Sequence, residues 1–490
     1  MPLSNDEIYT HAIAALRAML AAHGPDYKFP PDVIWQNIPE SVNVEVDIPS
    51  SSRSHQPKRL MNAGFIELTG GMTKAQAKQG AGSIRKEYRF GPELVPSLVE
   101  HIVGAAPSTS SSARLKGVQA AMEADGYLIS TAELANFYLA MTVSPLVILS
   151  GISGTGKSLL PRKFAKLTDS GFHPIPVQPQ WSDNSDLFGY VPTLSPTKHI
   201  EGAMTKSLLD AKAQPEKLVI ALLDEMNLAP VEHYFSDFLS VAETRSRMSA
   251  GGPVVTDALP IELPAVGAGL PDPYVNLRGA YLPQNLRVVG TANMDESTHT
   301  FSPKVLDRAF TIELDDPVLT DFASVSIAAA AATDVASLGQ LAEEMILDAN
   351  AISIQEARAD SQPLFEHIAG LLAEIQEILA PAGIKFGYRT RDAILLYLHF
   401  WRKHDLADIM TGYAALDFCI LQKILPKVTG SGDALSDALK KLTAWLDARE
   451  TAQEGDPFPQ FAGKLDRSAR KAERMAALLD LDGATRFWGA

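Results

Sequence analysis

The chain has 490 residues, of which 46% are hydrophobic and 21% charged, and these values exclude wholesale disorder and a fibrous repeat. The 43 basic and 58 acidic side chains give a formal net charge of -15, which argues against nucleic-acid binding over the whole surface. A single cysteine, Cys419, excludes an internal disulfide, and without Cys/His clusters a structural zinc site is excluded too. We therefore expect a reducing, cytoplasmic environment.

The N-terminal residues have acidic side chains and lack the basic start of a signal peptide, so none is predicted. Residues 6–22 carry apolar side chains at helical spacing and predict a first helix. A second helical segment then leads into a strand near residue 66, and the residues 84–90 alternate like a strand. Together these features predict a small α+β, winged-helix-like domain over residues 1–103.

Residues 53–90 form a basic segment within this first domain. They hold eight lysines and arginines against two glutamates, although the chain as a whole is acidic. Such a segment suits phosphate contacts from a wing-like hairpin, so DNA is a possible partner of this domain. A solvated basic face, or a patch that docks an acidic protein, remains open as the alternative.

A small-residue and serine stretch, residues 104–113, predicts a linker to the rest of the chain. Apolar runs at 146–150, 174–178, 218–223 and 286–291 alternate with helical stretches, which predicts an α/β core over residues 114–315 with a parallel sheet. Strand signals stop beyond about residue 315, and residues 316–490 predict an all-α lid. The longest apolar stretch is far shorter than the ~18 residues of a membrane helix, so no span is expected.

The apolar run 146–150 leads into a complete P-loop pattern, GxxxxGK[ST], followed by helix-forming residues. Its glycines let successive backbone N–H groups curl around phosphates, and the following helix presents its positive end to them. We expect Lys157 to reach the β- and γ-phosphates and the Ser158 hydroxyl to bind Mg²⁺. The predicted nucleotide-binding residues are Gly151, Ile152, Ser153, Gly154, Thr155, Gly156, Lys157 and Ser158.

Two further apolar runs end in polar residues at positions suited to hydrolysis. The run LVIALL ends in Asp224, predicted to hold Mg²⁺, and Glu225, predicted to orient and deprotonate the attacking water. The run LRVVGT is followed by Ala292 and Asn293, whose amide can contact the water or the γ-phosphate. In this context Asn293 resembles the sensor asparagine of an AAA+ ATPase.

Several longer stretches resemble the McrB-type AAA+ proteins, the nucleotide-hydrolysing subunits of modification-dependent restriction and anti-phage systems. The resemblance covers roughly residues 115–490, and it implies a hexameric ring that hydrolyses GTP or ATP, with Mg²⁺, and powers a separate McrC-like nuclease subunit. The stretches that carry it are VQPQWSDNSDLFGYV, DEMNLAPVEHYFSDFLSVAE, GTANMDESTHTFSPKVLDRAF, FGYRTRDAI, LDFCILQKILPK and TRFWG.

The same resemblance implies roles for two arginines. Arg308, in LDRAF, would act like an arginine finger on the nucleotide of a neighbouring subunit. Arg389, in FGYR, would be the sensor arginine of the lid and contact the γ-phosphate in its own chain, with Arg391 as the competing assignment. The chain departs from the family where its best-known members have MNxxDR: here the sequence is ANMDES, which leaves both GTP and ATP open as substrates.

Two other functions compete with this hypothesis. A MoxR-like ATPase, which remodels or matures protein complexes, shares the same core plan. A DNA-binding regulator would use the first domain, but the GAFTGA loop that contacts σ factor in AAA+ regulators is absent. No nuclease motif is present, so we expect any cutting of nucleic acid to require a partner.

Overall fold

The computed structural model describes residues 110–247, 254–267, 270–294, 298–314, 335–351, 353–450, 463 and 465–488, with two strands and a few single residues nearer the N-terminus. The chain divides into two compact units, Met1–Ser108 and Thr109–Ala490. This division falls inside the predicted linker, and the first helix of the second unit already begins at Ser111.

The first unit contains an antiparallel pair of strands, β1 (Ile66–Lys74) and β2 (Ile84–Phe90). Their register shifts between Leu68 and Met72. Within the predicted first helix the described residues are helical and buried: Ala12, Ala15, Leu16 and Met19. The strand pair occupies the residues that were predicted to form a hairpin. The winged-helix arrangement stays a prediction, because most of its helical residues lie outside the described part of the chain.

The second unit is built on a five-stranded sheet in which every pairing is parallel. The strand order across the sheet is β4, β5, β8, β3, β9. Four of these strands correspond to predicted runs within a few residues, but β9 is only four residues long and was not predicted. The strands are β3 (Leu146–Ser150), β4 (Gly171–Pro176), β5 (Val219–Asp224), β8 (Leu286–Ala292) and β9 (Phe310–Glu313).

Alternate residues of the central strands enter two separate hydrophobic cores. Val147 and Leu149 of β3 pack on one face, with the C-terminal helices, and Leu146 and Ile148 pack on the other. Both faces of the sheet are buried against other elements, which explains why these strands are continuous apolar runs in the sequence. The covering elements are α1 (Ser111–Ala124), α2 (Thr131–Val143), α3 (Leu159–Leu167), α4 (Ser185–Phe188), α5 (Thr205–Ala213), α6 (Val231–Tyr234), α7 (Ser236–Glu243) and α8 (Pro303–Arg308).

The unit also contains a small strand pair and a helix with a capping box at its N-terminus. Strands β6 (Ser246–Arg247) and β7 (Val254–Val255) form a small antiparallel pair. Helix α2 starts at a capping box in which Ser130 and Glu133 exchange hydrogen bonds, which satisfies the first free N–H groups of the helix.

The C-terminal region is helical, as predicted, with one addition: two-residue strands pair Gly430 with Thr485. Its longest helix is kinked at Ser361, two residues before Pro363, because proline cannot donate the helical hydrogen bond. The elements are α9 (Val335–Ala351), α10 (Ile354–Leu379), α11 (Tyr388–Lys403), α12 (Ala414–Lys423), β10 (Gly430–Ser431), α13 (Asp433–Asp447), α14 (Asp466–Asp482) and β11 (Ala484–Thr485).

Candidate nucleotide site

The predicted P-loop connects the buried end of β3 to helix α3. Gly151, Gly154 and Gly156 have φ values of 144°, 89° and 85°, a region in which side chains other than glycine are strained. Gly156 is also constrained by its surroundings, because a Cβ there would lie 2.5 Å from the Tyr127 ring. The loop can therefore wind tightly only because glycine occupies these positions, and Ser153 and Gly154 at its crest are exposed.

Lys157 is 7% exposed and its ammonium group lies inside the curve of this loop. Its Nζ donates to the backbone oxygens of Gly151 at 2.8 Å and Ile152 at 2.6 Å. A charged phosphate oxygen is a stronger acceptor than a neutral carbonyl oxygen, so a phosphate in the loop would compete for the same ammonium group.

The parallel register brings the carboxyl ends of β3, β5 and β8 to one edge of the sheet. There Ser158 Oγ donates to Asp224 Oδ1 at 2.7 Å, which joins the two predicted magnesium ligands. Thr291 Oγ1 donates to the same carboxylate oxygen, also at 2.7 Å, and accepts a hydrogen bond from the Glu225 backbone N at 2.9 Å.

Thr291 was missed by the sequence analysis, although it is the last residue of the apolar run LRVVGT. A threonine at the end of a buried strand is ordinarily a packing residue. Only the strand register shows that its hydroxyl lies between Asp224 and Glu225.

Glu225 follows β5 directly and has a left-handed backbone conformation, with φ 53° and ψ 50°. Among the described residues only Asp169 and Asp405 share a positive φ without being glycine. Such strain persists where the surroundings enforce it, and functional sites are frequent examples. The Glu225 side chain is exposed, and Asn293 Nδ2 lies 3.4 Å from its Oε1. The structure thus brings the predicted base and the predicted sensor amide together.

Asn227 is a second residue that the sequence analysis missed. It is fully buried and its Nδ2 donates to the backbone oxygen of Asn293 at 2.8 Å and of His299 at 3.3 Å. The backbone N of His299 donates in return to the backbone oxygen of Asn227 at 2.9 Å. These hydrogen bonds connect the segment after β8 to the segment after β5. They therefore keep Asn293 close to Glu225.

Arg308 lies at the opposite edge of the sheet from the P-loop. Ser144, which precedes β3, donates its hydroxyl to the Arg308 backbone oxygen at 3.0 Å, whereas the P-loop follows the end of β3. Gly151 is seven positions after Ser144, which corresponds to about 23 Å of extended chain at the usual rise per residue. This is farther than one side chain reaches, so Arg308 does not contact the P-loop of its own chain.

Arg389 lies beside Arg308 rather than beside the P-loop. Its Nη2 is 2.6 Å from Glu243 Oε1, and the same oxygen is 2.6 Å from Arg308 Nε. The expectation that Arg389 contacts the γ-phosphate in its own chain therefore does not fit this geometry, because the lid packs its helix α11 against the amino edge of the sheet. The competing Arg391 pairs with its neighbour Asp392 at 2.7 Å.

The C-terminal stretch TRFWG meets the strand that carries the P-loop. The Trp488 indole N–H donates to Ser150 Oγ at 3.2 Å, and the Trp488 ring lies 5.9 Å from that of Phe301. Trp181, in the aromatic and acidic segment 181–191, is buried against Tyr234 with 5.2 Å between ring centres. Within the described part of the chain no His, Cys, Asp and Glu cluster suits a metal ion, and no helix there could cross a membrane.

Two family models match the chain. Residues 146–309 match an AAA domain of the dynein-related subfamily, and residues 342–484 match a domain of unknown function. The first range contains the P-loop, Asp224, Glu225, Asn293 and Arg308. Residues 146–309 therefore form an AAA domain with a P-loop, which supports the predicted α/β core. The described residues that follow it are mainly helical, as predicted.

Other comparisons add little to this assignment. No curated protein matches the chain. Among solved structures, it is similar to a proposed ATPase from Cytophaga hutchinsonii ATCC 33406, with 15% identity over 64% of this chain and 85% of that chain. The TM-score of this similarity is 0.34, so no argument rests on it.

Proposed function

We propose that this chain is a magnesium-dependent nucleoside triphosphatase that works as a ring, with each active site shared between two copies, and that hydrolysis drives the remodelling of a partner protein complex. The observation that supports hydrolysis is the arrangement at the carboxyl edge of the sheet. There Ser158, Asp224 and Thr291 are joined through hydrogen bonds beside the P-loop, and Glu225 lies with Asn293 at the exposed side.

The oxygen donors fit a magnesium ion. Mg²⁺ prefers a few protein oxygens, with water and phosphate oxygens completing its octahedron, and the Ser158 hydroxyl and Asp224 carboxylate are such donors. Ser158 and Asp224 would hold the ion, which would supply neutralisation of phosphate charge. Glu225 accepts the proton of the attacking water, while the Asn293 amide holds the Glu225 carboxylate in place.

Completion of the site by a neighbouring copy rests on the position of Arg308. An arginine that stabilises charge on the transferred phosphate must touch it, and Arg308 is on the far edge of its own sheet. In a ring of identical subunits, the far edge of one copy can face the P-loop of the next, as in other head-to-tail assemblies. We assign Arg389 to the same neighbouring nucleotide, because it shares Glu243 with Arg308. A hexamer is the expected assembly.

We place the chain first among MoxR-like remodelling ATPases, since its AAA domain matches the dynein-related subfamily. The second candidate is the McrB-like motor of a restriction system, with a separate McrC-like nuclease subunit. That candidate is favoured by the basic segment 53–90, which contains an antiparallel strand pair suited to contact DNA. Stimulation of hydrolysis by duplex DNA and a co-purified nuclease would favour it over protein remodelling.

The test of hydrolysis compares two variants with ATP and with GTP. Lys157→Ala should weaken nucleotide binding, because it removes a charge from the phosphate loop. Glu225→Gln should retain nucleotide but lose about 10² to 10⁴-fold in turnover, the usual contribution of a general base. Binding of a fluorescent nucleotide and release of phosphate measure the two effects separately. Undiminished hydrolysis in Glu225→Gln would contradict the assignment of this residue as the base.

A further inference from the structure

Glu243 is an acidic residue at the end of α7, and no sequence motif predicted a role for it. Its Oε1 lies 2.6 Å from Arg308 Nε and 2.6 Å from Arg389 Nη2, and Arg308 Nη2 donates to its Oε2 at 3.0 Å. One carboxylate therefore contacts an arginine of the α/β core and an arginine of the C-terminal helical region. The side chains of both Arg389 and Glu243 are about one-third to one-half exposed, so a ligand can reach the group.

The contacts of Arg308 leave part of its guanidinium available. The Nε edge faces Glu243, and Nη1 donates one hydrogen bond to the Lys304 backbone oxygen at 2.9 Å. Each terminal nitrogen carries two N–H groups, so among the contacts of the described residues one N–H remains on Nη1 and one on Nη2. Arginine commonly uses N–H groups of its terminal nitrogens to bind phosphate.

The backbone around Arg308 is already fixed by other contacts. Lys423 of α12 donates to the backbone oxygens of Leu306, Asp307 and Ala309 at 3.3, 2.9 and 2.5 Å. These backbone contacts do not determine the direction of the long Arg308 side chain or its distance from Arg389. Two guanidinium groups repel each other, and a carboxylate between them offsets that repulsion.

We propose that Glu243 is a positioning residue that presents Arg308 and Arg389 together, as one cationic pair, to the terminal phosphate of a nucleotide bound by a neighbouring copy of this chain. This role rests on the proposed function, in which the two arginines complete the neighbour's site. Glu243 itself does not touch the nucleotide. It acts by holding the arginines at the spacing that the phosphate oxygens require.

The test uses Glu243→Gln, which keeps the size of the side chain and removes its charge. We expect turnover of the full chain to fall at least tenfold, with nucleotide affinity at its own P-loop within twofold of wild type. Glu374→Gln is the matched control, since Glu374 also binds an arginine, Arg449, but in the C-terminal helices. Its turnover should equal that of wild type. Unchanged turnover in Glu243→Gln would overturn the proposal, because the arginines would then not need Glu243. Faster turnover would also overturn it, because Glu243 would then restrain the arginines.

Mixed assemblies separate positioning from general damage. Glu243→Gln subunits keep an intact P-loop and an intact Glu225. When they are mixed with Glu225→Gln subunits, whose arginines are correctly positioned, the active sites of the Glu243→Gln subunits should regain turnover. A protein that is merely misfolded would not be rescued, and absence of rescue overturns the proposal. Arg308→Ala mixed with Glu225→Gln is the internal standard, with subunit exchange verified by energy transfer between labelled chains. Failure of this standard contradicts the shared site itself, whereas its success without rescue of Glu243→Gln contradicts only the role of Glu243.

Discussion

The hydroxyl of Thr291 connects the two acidic residues of the site. It donates to Asp224 and accepts from the backbone N of Glu225, so it fixes a carboxylate and the strained backbone of the next residue at once. Loss of one partner of a buried hydrogen bond typically costs about 1–3 kcal/mol, because the remaining group stays desolvated. Thr291 is therefore expected to matter for turnover although it contacts no phosphate.

Thr291→Val tests this role with almost no change in shape. We expect turnover to fall about tenfold or more, because Asp224 and Glu225 lose their common partner. Thr311→Val is the matched control: Thr311 is also a buried strand threonine, on β9, and its hydroxyl makes no hydrogen bond within the described part of the chain. Steady-state phosphate release compares the two, and equal effects would show that Thr291 is only a packing residue.

The residues of the site differ in how far the sequence predicts them. Lys157 and Ser158 follow from a local pattern, since the glycine spacing of the P-loop allows few other structures. Thr291 and Asn227 act through hydrogen bonds between segments that are distant in sequence, so only the fold brings their partners together. Arg389 lies beside Glu243 and Arg308, and its position depends on how the lid packs, which no local pattern encodes.

At the scale of elements, helix α12 of the lid is joined to helix α8, which carries Arg308. Lys423 is fully buried there and donates to three carbonyl oxygens, while Lys427 forms an ion pair with Asp307. Burial, together with the nearby charge of Lys427, lowers the pKa of Lys423 to about 7. The junction between lid and core thus contains a group that changes charge near neutral pH.

This pKa predicts how stability depends on pH. The ordinary pKa of a lysine is 10.5, so between pH 7 and that value the unfolded chain binds the proton that the folded chain has released. The free energy of unfolding of wild type, relative to Lys423→Met, should therefore rise with pH by up to about 1.4 kcal/mol per unit. Below pH 7 both states are protonated and the difference should be constant. Thermal melting of both proteins from pH 6 to 9 measures it, and a difference independent of pH would contradict the lowered pKa.

The strand pair β1 and β2 of the first unit belongs to the basic segment 53–90. Phosphate contacts there predict DNA binding that weakens steeply with salt. Replacing Lys58, Arg85 and Lys86 by alanine should reduce the slope of log affinity against log salt by up to about one unit for each lost contact. A salt titration of the full chain on duplex DNA, with and without methylated cytosine, measures the slope. Absence of binding at low salt would favour a protein-docking role for this segment.

The sequence predicted the α/β core more completely than the small elements around it. Long apolar runs identified β5 and β8, because strands covered on both faces need such residues at every position. Strand β9 has four residues and β10 and β11 have two each, which is too short for a periodic signal. Strand β9 pairs with β3 at the edge of the core sheet, and β10 pairs with β11.

At the scale of the whole molecule, the central claim is that one copy of the chain hydrolyses nucleotide with the help of the next. The P-loop and Glu225 lie at the carboxyl edge of the sheet, and Arg308 lies at the amino edge with Arg389. Neither edge alone has all the groups that phosphate transfer requires. The Trp488 contact with Ser150 and the Lys423 contacts with α8 connect the C-terminal region to both edges within one chain.

The most direct test mixes Arg308→Ala subunits with Glu225→Gln subunits, each inactive alone. In a mixed ring the intact P-loop and Glu225 of the first variant can face the intact Arg308 of the second, so a shared site predicts that turnover returns. The expected recovery is a substantial fraction of wild-type turnover that depends on the mixing ratio and is largest when both variants are abundant. If mixed rings demonstrably form and hydrolyse no faster than the separate variants, the claim that neighbouring copies complete each other's sites is contradicted.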